Sequence, residues 1–148
     1  MKYLLAGCAA AFFLCVSCGK HDSPISEHTT LDYYASPYGT EGTKNMLIRE
    51  GVHAELYGIA DTVMADLTDA EMQAISKAMK AVQKWDTVYE STQSDRYEVV
   101  RRIDPQGIAT IRRSHGSETP AAVDELMNAL GAVAKRVRAG TVENIKAQ

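Results

Sequence analysis

Arginines are concentrated between residues 96 and 113 of this chain, on both sides of a predicted reverse turn. The guanidinium group is a planar donor that pairs well with phosphate and carboxylate groups. The candidate anion-binding residues are Arg101, Arg102, Arg112 and Arg113. Strand alternation would place Arg101 and Arg112 on one face, and Arg102 and Arg113 on the opposite face. The favoured explanation is a solvated sheet edge with local ion pairs, because charged residues commonly protect exposed strands.

A serine–histidine pair, Ser114 and His115, follows this stretch. A serine with a histidine in contact can act as a nucleophile with its general base. Adjacency in the sequence does not create that geometry, and no orienting carboxylate is identifiable. A solvent-exposed loop histidine is the favoured interpretation, so no catalytic residue is assigned. A small envelope enzyme or small-ligand site near His115 and the arginine hairpin stays the alternative.

Metal-ligating residue types occur at His53 and Glu55, which would share a face of a strand but diverge on a helix. Two ligands are too few for a metal site, which usually needs three or four. The carboxylates between residues 61 and 71 have an ordinary role, because acidic side chains stabilise a helix N-terminus. We therefore predict no metal site and no cofactor.

The composition indicates one globular domain. The 148 residues carry a net charge of -3, with 45% hydrophobic and 24% charged residues. Nucleic acid is not an expected partner, because domains that bind it are usually strongly basic. The sequence contains none of the common nucleotide-binding or hydrolase motifs.

The N-terminus begins with a short hydrophobic segment. Lys2 precedes an uncharged run over residues 3–17, and charge returns at Lys20. A run of this length suits a signal peptide but is short for a bilayer span, which needs about 20 residues.

Ser17 and Cys18 at the end of this run resemble the lipobox of bacterial lipoprotein precursors, with Cys15 at the position usually held by leucine. Residues 5–8 resemble the lipobox more closely. Too few residues precede Cys8, however, for a charged start and a hydrophobic region. We therefore predict cleavage before Cys18.

The resemblance implies a diacylglycerol thioether on Cys18 and usually an acylated amino group, and two or three acyl chains give stable membrane anchoring. It predicts a lipid-anchored protein on the exported face of a bacterial membrane, the outer membrane if the host has one. Cleavage there would also leave the mature chain with no other cysteine, because Cys8 and Cys15 are upstream.

Three regions follow from this interpretation. Residues 1–17 are the predicted signal peptide. Residues 18–45 are the predicted lipidated cysteine and flexible tether, because they are rich in Gly, Ser, Thr and Pro without a sustained period. Residues 46–148 are the predicted single domain.

Two amphipathic helices are predicted, over residues 69–84 and 120–138. Thr68 and Glu71 form a capping box before the first. Thr119 and Pro120 mark the start of the second, and Gly140 its end. The predicted buried positions of the second helix are Val123, Leu126, Leu130, Val133 and Val137.

Between the helices a β-hairpin is predicted around a turn at residues 104–107. Its simple register pairs Val100 with Ile111 and Glu98 with Arg113. Residues 86–91 are a candidate third strand.

Residues 46–66 are ambiguous. Apolar residues recur at helical spacing and slightly favour a helix. Gly51 and Gly58 oppose a helix, and the alternation around Ala54 is typical of a strand.

The predicted fold is α+β, with a small antiparallel sheet (a hairpin or three-stranded meander) packed against two or three amphipathic helices. The predicted function is a non-enzymatic binding module of the cell envelope. The expected partners are the membrane, through lipid on Cys18, and an envelope protein or anionic molecule.

Overall fold

The computed structural model describes residues 24–36, 44–58 and 61–146. They form a seven-stranded sheet with two helices on one of its faces. The strands are β1 Thr30–Ala35, β2 Lys44–Arg49, β3 His53–Tyr57, β4 Thr62–Asp66, β5 Thr87–Tyr89, β6 Tyr97–Asp104 and β7 Gly107–Ser114. The helices are α1 Asp69–Ala81 and α2 Ala121–Lys146. The mixed α/β class agrees with the prediction, but the sheet is much larger than a hairpin or three-stranded meander.

The strand order is β4-β3-β2-β1-β6-β7-β5. All neighbours are antiparallel except β5 and β7, which are parallel. The predicted third strand is therefore present as β5, but it does not continue a meander. The loop over residues 90–96 carries the chain from β5 past β7 to β6.

The hairpin of β6 and β7 has the predicted register. Val100 pairs with Ile111, and Glu98 pairs with Arg113. Its turn ends at Gly107, which has a φ of 138°, a conformation that residues with a side chain rarely adopt.

The slight preference for a helix over residues 46–66 is wrong, because this stretch forms β2, β3 and β4. Glu50 and Gly51 have φ values of 54° and 66°, and the N–H of Val52 donates to the Arg49 carbonyl at 3.1 Å. Two successive left-handed residues make the type I′ turn that suits a β-hairpin and interrupt a helix.

The segment predicted as a flexible tether contributes to the fold. Within it, β1 is the middle strand of the sheet, between β2 and β6. Leu31, Tyr33 and Ala35 of β1 are buried in the core, and so is Ile25. Residues 25–35 thus belong to the domain rather than to a tether.

Both predicted helices are present with shifted ends. The capping box is confirmed, because the Glu71 N–H donates to Thr68 Oγ1 and the Thr68 N–H donates to Glu71 Oε2. Helix α2 begins one residue after Pro120 and continues past Gly140, which therefore does not end it. The five predicted core positions of α2 are all buried, at most 3% exposed.

Candidate functional site

The two helices cover one face of the sheet and leave the opposite face uncovered in the described part of the chain. We call this second surface the open face. It is the side that carries Tyr34, Leu47, Tyr57, Val99 and Arg112. Strand register defines it, because side chains two residues apart on a strand, and those directly opposite on neighbours, share a face.

Register aligns several of these side chains in one row across the sheet. Tyr57 of β3 lies opposite Asn45 of β2, and Asn45 lies opposite Tyr34 of β1. Tyr34 lies opposite Val99 of β6, which in turn lies opposite Arg112 of β7. The row therefore crosses five strands, although its members come from distant parts of the sequence.

A groove of about 540 Å³ follows the middle of the open face. It is lined by Asp32, Tyr34, Asn45, Leu47, Tyr57, Tyr97, Val99 and Arg101. These residues combine aromatic and aliphatic surface with a few polar groups, the composition that binding sites use for affinity and orientation. The groove lies on β1, β2, β3 and β6.

Two tyrosines in the wall of the groove form a stacked group with Arg112, which lies next to the wall. The rings of Tyr34 and Tyr97 have centroids 5.6 Å apart and are tilted by 33°. The guanidinium carbon of Arg112 lies 4.4 Å from the centroid of the Tyr97 ring, a cation–π contact. Each member restrains its neighbour, so the wall presents ordered amphipathic surface.

The charges on the open face are largely paired with one another. Arg101 donates to the Asp32 carboxylate across the β1–β6 pairing. Arg49 Nε donates to Glu55 Oε2 at 3.1 Å, and the Tyr57 hydroxyl donates to the same oxygen at 2.6 Å. These hydrogen bonds, the one from Tyr57 first, lower the pKa of Glu55.

A histidine–aspartate pair lies at the β3–β4 end of this face. His53 Nδ1 lies 2.7 Å from Asp66 Oδ1, and both side chains are well exposed. His53 and Glu55 share the open face, as a strand requires. The described residues contain no group of three or more His, Cys, Asp or Glu side chains arranged to hold a metal ion.

The large apolar side chains that remain most exposed also lie on the open face. Met64 is 67% exposed, Val88 55% and Ile108 65%. Met64 lies opposite Glu55, Val88 opposite Arg112, and Ile108 opposite Ile103, so all three project to the same side. Exposed apolar side chains therefore occur from one edge strand to the other, with polar and charged side chains between them.

The four candidate anion-binding arginines are divided between the two faces, as alternation predicted. Arg101 and Arg112 lie on the open face. Arg113 lies on the helix side. There it contacts Glu98 of β6 at 2.6 Å and Asp124 of α2 at 2.5 Å.

Arg102 also lies on the helix side, with its guanidinium 4.7 Å from the Trp85 ring and its Nε 2.9 Å from Asp104. The structure does not bring the four arginines together, and anion binding by them stays a prediction.

The serine–histidine pair has its two side chains in different environments. Ser114 is buried at 9% exposure, whereas the next residue, His115, is exposed. The His115 N–H donates to the Arg96 carbonyl at 2.8 Å, which extends the β6–β7 ladder. Cys18, the predicted lipidation site, lies outside the described residues.

Most of the groove residues were not among the sequence-predicted candidates. Tyr34, Asn45, Leu47 and Tyr57 belong to β1, β2 and β3, all of which lie in the tether-like or ambiguous regions. The available signal was the two-residue alternation of buried and outward residues, as in Leu31, Tyr33 and Ala35.

No protein-family model matches this chain, and no curated protein matches it either. Among the described residues, neither helix has the length and apolar character needed to cross a membrane.

Proposed function

We propose that this protein is a lipid-anchored, non-enzymatic binding module of the bacterial cell envelope, and that it holds another envelope protein on its open face. The observation that carries the binding role is the open face itself. Besides its tyrosine-lined groove, this face carries Met64, Val88 and Ile108, the most exposed large apolar side chains of the described residues.

The chemistry of the open face favours a protein as the partner. Protein interfaces are enriched in Tyr, Met and Arg, and tyrosine and arginine contribute many of their strongest contacts. The opposite charges within the Asp32–Arg101 pair neutralise each other, and so do those within the Glu55–Arg49 pair. A polyanion would gain little from arginines that already bind carboxylates, whereas a protein surface needs only a small net charge opposite it.

The dimensions of the open face are also adequate. Seven strands spaced by about 4.8 Å span about 29 Å, and the four longest strands, of six to eight residues, run about 20 Å or more. That surface approaches the roughly 800 Å² per partner of a standard protein interface. A partner covering it would bury the groove and the apolar residues beside it.

Attachment to the membrane rests on the lipobox resemblance at Cys18. Metabolic labelling with a palmitate analogue is expected to mark the wild-type protein and to leave Cys18→Ser unmarked. The matched variant Cys8→Ser should be marked like the wild type. Loss of the label in Cys8→Ser alone would mean that the cleavage site is at Cys8.

The docking surface is tested by photo-crosslinking in cells that produce the full chain. A photoreactive residue replaces Val99 or Ile108 on the open face, and Gln73 or Asn128 on the exposed side of the helices as matched controls. We expect a discrete adduct from the two open-face positions and none from the helix positions. Adducts spread equally over all four positions, or absent from the open face, would contradict the proposal.

A small-molecule ligand is the second candidate, because about 540 Å³ lies within the usual volume of ligand pockets. The same experiment separates the two functions. A small ligand would occupy only the groove, so a protein adduct at Ile108, which does not line the groove, favours the protein partner.

A further inference from the structure

Strand β4 is an edge of the sheet, and the orientation of its backbone can be worked out from the bonds at its ends. The Leu67 N–H donates to the Val52 carbonyl at 2.8 Å, and the Gly58 N–H donates to the Asp61 carbonyl at 2.7 Å. In an antiparallel ladder, hydrogen-bonded and non-hydrogen-bonded pairs alternate. The backbone groups of Thr62, Met64 and Asp66 therefore point away from β3.

Most of these outward groups are available for strand pairing within the described residues. Within the described residues, β4 is hydrogen-bonded to β3 alone among the strands. One outward group has a side-chain partner, because Arg136 donates to the Asp66 carbonyl at 2.9 Å. The carbonyls and N–H groups of Thr62 and Met64 remain in position to pair with another strand.

Apart from Asp66 and its Arg136 contact at one end, the β4 edge lacks the usual features that prevent strand addition. Natural edge strands are protected by proline, lysine, bulges or very short length. Residues 62–66 contain neither proline nor lysine, and their pairing with β3 is unbroken over five residues. The opposite edge, β5, has only three residues and follows Asp86, whose φ is 58°.

We propose that β4 pairs with β4 of a second copy of this chain, in antiparallel register about a twofold axis at Met64. This register brings outward backbone groups opposite outward backbone groups at all three positions, with Met64 opposite its own copy. The Asp66 carbonyl would then accept from Thr62 of the second copy as well as from Arg136. It places Thr62 opposite Asp66, so the hydroxyl faces a carboxylate and the two carboxylates stay apart.

The side chains on the helix side are complementary in the same register. Val63 and Ala65, both partly buried against the core, lie opposite each other across the axis. Moving the axis to Asp66, a four-residue change of register, would oppose two carboxylates and leave fewer backbone bonds. Self-complementarity of this kind is what a closed twofold dimer requires.

The dimer would join two sheets edge to edge. Because Met64 lies on the open face and would lie beside its own copy, both open faces would point to the same side. The inference concerns assembly and is independent of the proposed partner protein.

Disulfide trapping in membranes from cells producing the full chain tests the register. In a hydrogen-bonded antiparallel pair the Cα atoms are about 5.5 Å apart, within disulfide range. Met64→Cys should therefore form a covalent dimer under mild oxidation. The matched control is Val88→Cys, a similarly exposed residue on the other edge; the unsubstituted protein reports disulfides formed by Cys8, Cys15 or Cys18.

The off-axis positions give a second readout. Thr62→Cys and Asp66→Cys are two separate variants that are produced in the same cells. They should crosslink to each other more than either variant does to itself. Thr62→Pro removes one outward N–H at the first residue of the strand, a position that tolerates proline. Each copy then loses one hydrogen bond, so dimerisation measured by sedimentation should weaken about tenfold.

Equal trapping of Met64→Cys and Val88→Cys would overturn the proposal. So would self-crosslinking of Thr62→Cys as strong as that of Met64→Cys, because the register would then be different. The dimer could fail while the open-face adducts persist, and the reverse could also occur, so the two proposals fail separately.

Discussion

The hydroxyl of Tyr33 donates to Glu98 Oε1 at 2.5 Å on the helix side of the sheet. Tyr33 is only 1% exposed, and a buried hydroxyl needs a hydrogen-bond partner. Glu98 also accepts from Arg113, which continues to Asp124 of α2. A Cβ on Gly131 would lie 3.3 Å from the Tyr33 hydroxyl, so this glycine makes room for it in α2. The network joins β1, β6 and β7 to the helix layer.

Glu98→Gln is expected to lower the free energy of unfolding by about 2 kcal/mol, because Arg113 loses a charged partner in a half-buried position. Urea unfolding measures the change. The control Glu125→Gln alters an exposed side chain of α2 and should change stability by less than about 0.5 kcal/mol. A Glu98→Gln variant as stable as this control would show that the network does not contribute to stability.

Glu50→Asn is expected to raise the free energy of unfolding by about 0.5–1 kcal/mol, because asparagine tolerates the left-handed conformation better than glutamate and favours type I′ turns with glycine. Thermal unfolding should show a higher midpoint. Gly51→Ala is the opposing variant and should destabilise the hairpin, since its φ of 66° is unfavourable for a side chain. If Glu50→Asn destabilised the protein, the assigned turn geometry would be incorrect.

Acidification should remove a contribution of Glu71 to stability. Burial acts to raise the pKa of Glu71, but hydrogen bonds from Arg136 and the Thr68 N–H outweigh it and lower the pKa overall. A carboxyl group whose folded pKa lies below its unfolded value, about 4.3 for glutamate, stabilises the fold above that value. The contribution is lost as the pH falls through the folded pKa.

Glu71→Gln measures this contribution directly. The difference in unfolding free energy between wild type and Glu71→Gln should be largest near pH 7, at about 1 kcal/mol, and should shrink below pH of about 4. The control Gln73→Ala introduces no titrating group, so its effect should be the same at both pH values. A difference between wild type and Glu71→Gln that grew on acidification would contradict the assigned sign.

Local signals made the helices and the hairpin predictable. The capping box at Thr68 and the turn before Gly107 each lie within four residues, and both specify the structure that forms there. The register of the hairpin followed from alternation and the turn. It also predicted correctly that Arg101 and Arg112 share a face.

The rest of the sheet could not be predicted because its pairings are distant in sequence. Tyr33 and Val100 are register partners, yet β1 lies in a segment of tether-like composition. In β2 and β3 an apolar repeat at helical spacing concealed the alternation of Met46, Ile48, Ala54 and Leu56, all buried. The groove depends on the order of four strands, which no single segment encodes.

The central claim, that the open face is covered by a partner in the cell, is tested most directly by cysteine accessibility. Thr110→Cys on the open face and Gln73→Cys on α1 are labelled with a maleimide in cells whose envelope has been permeabilised, and again after purification. The account predicts that the labelling of Thr110→Cys relative to Gln73→Cys is lower in the cells than in the purified protein. A ratio that is the same in the cells and after purification would contradict it.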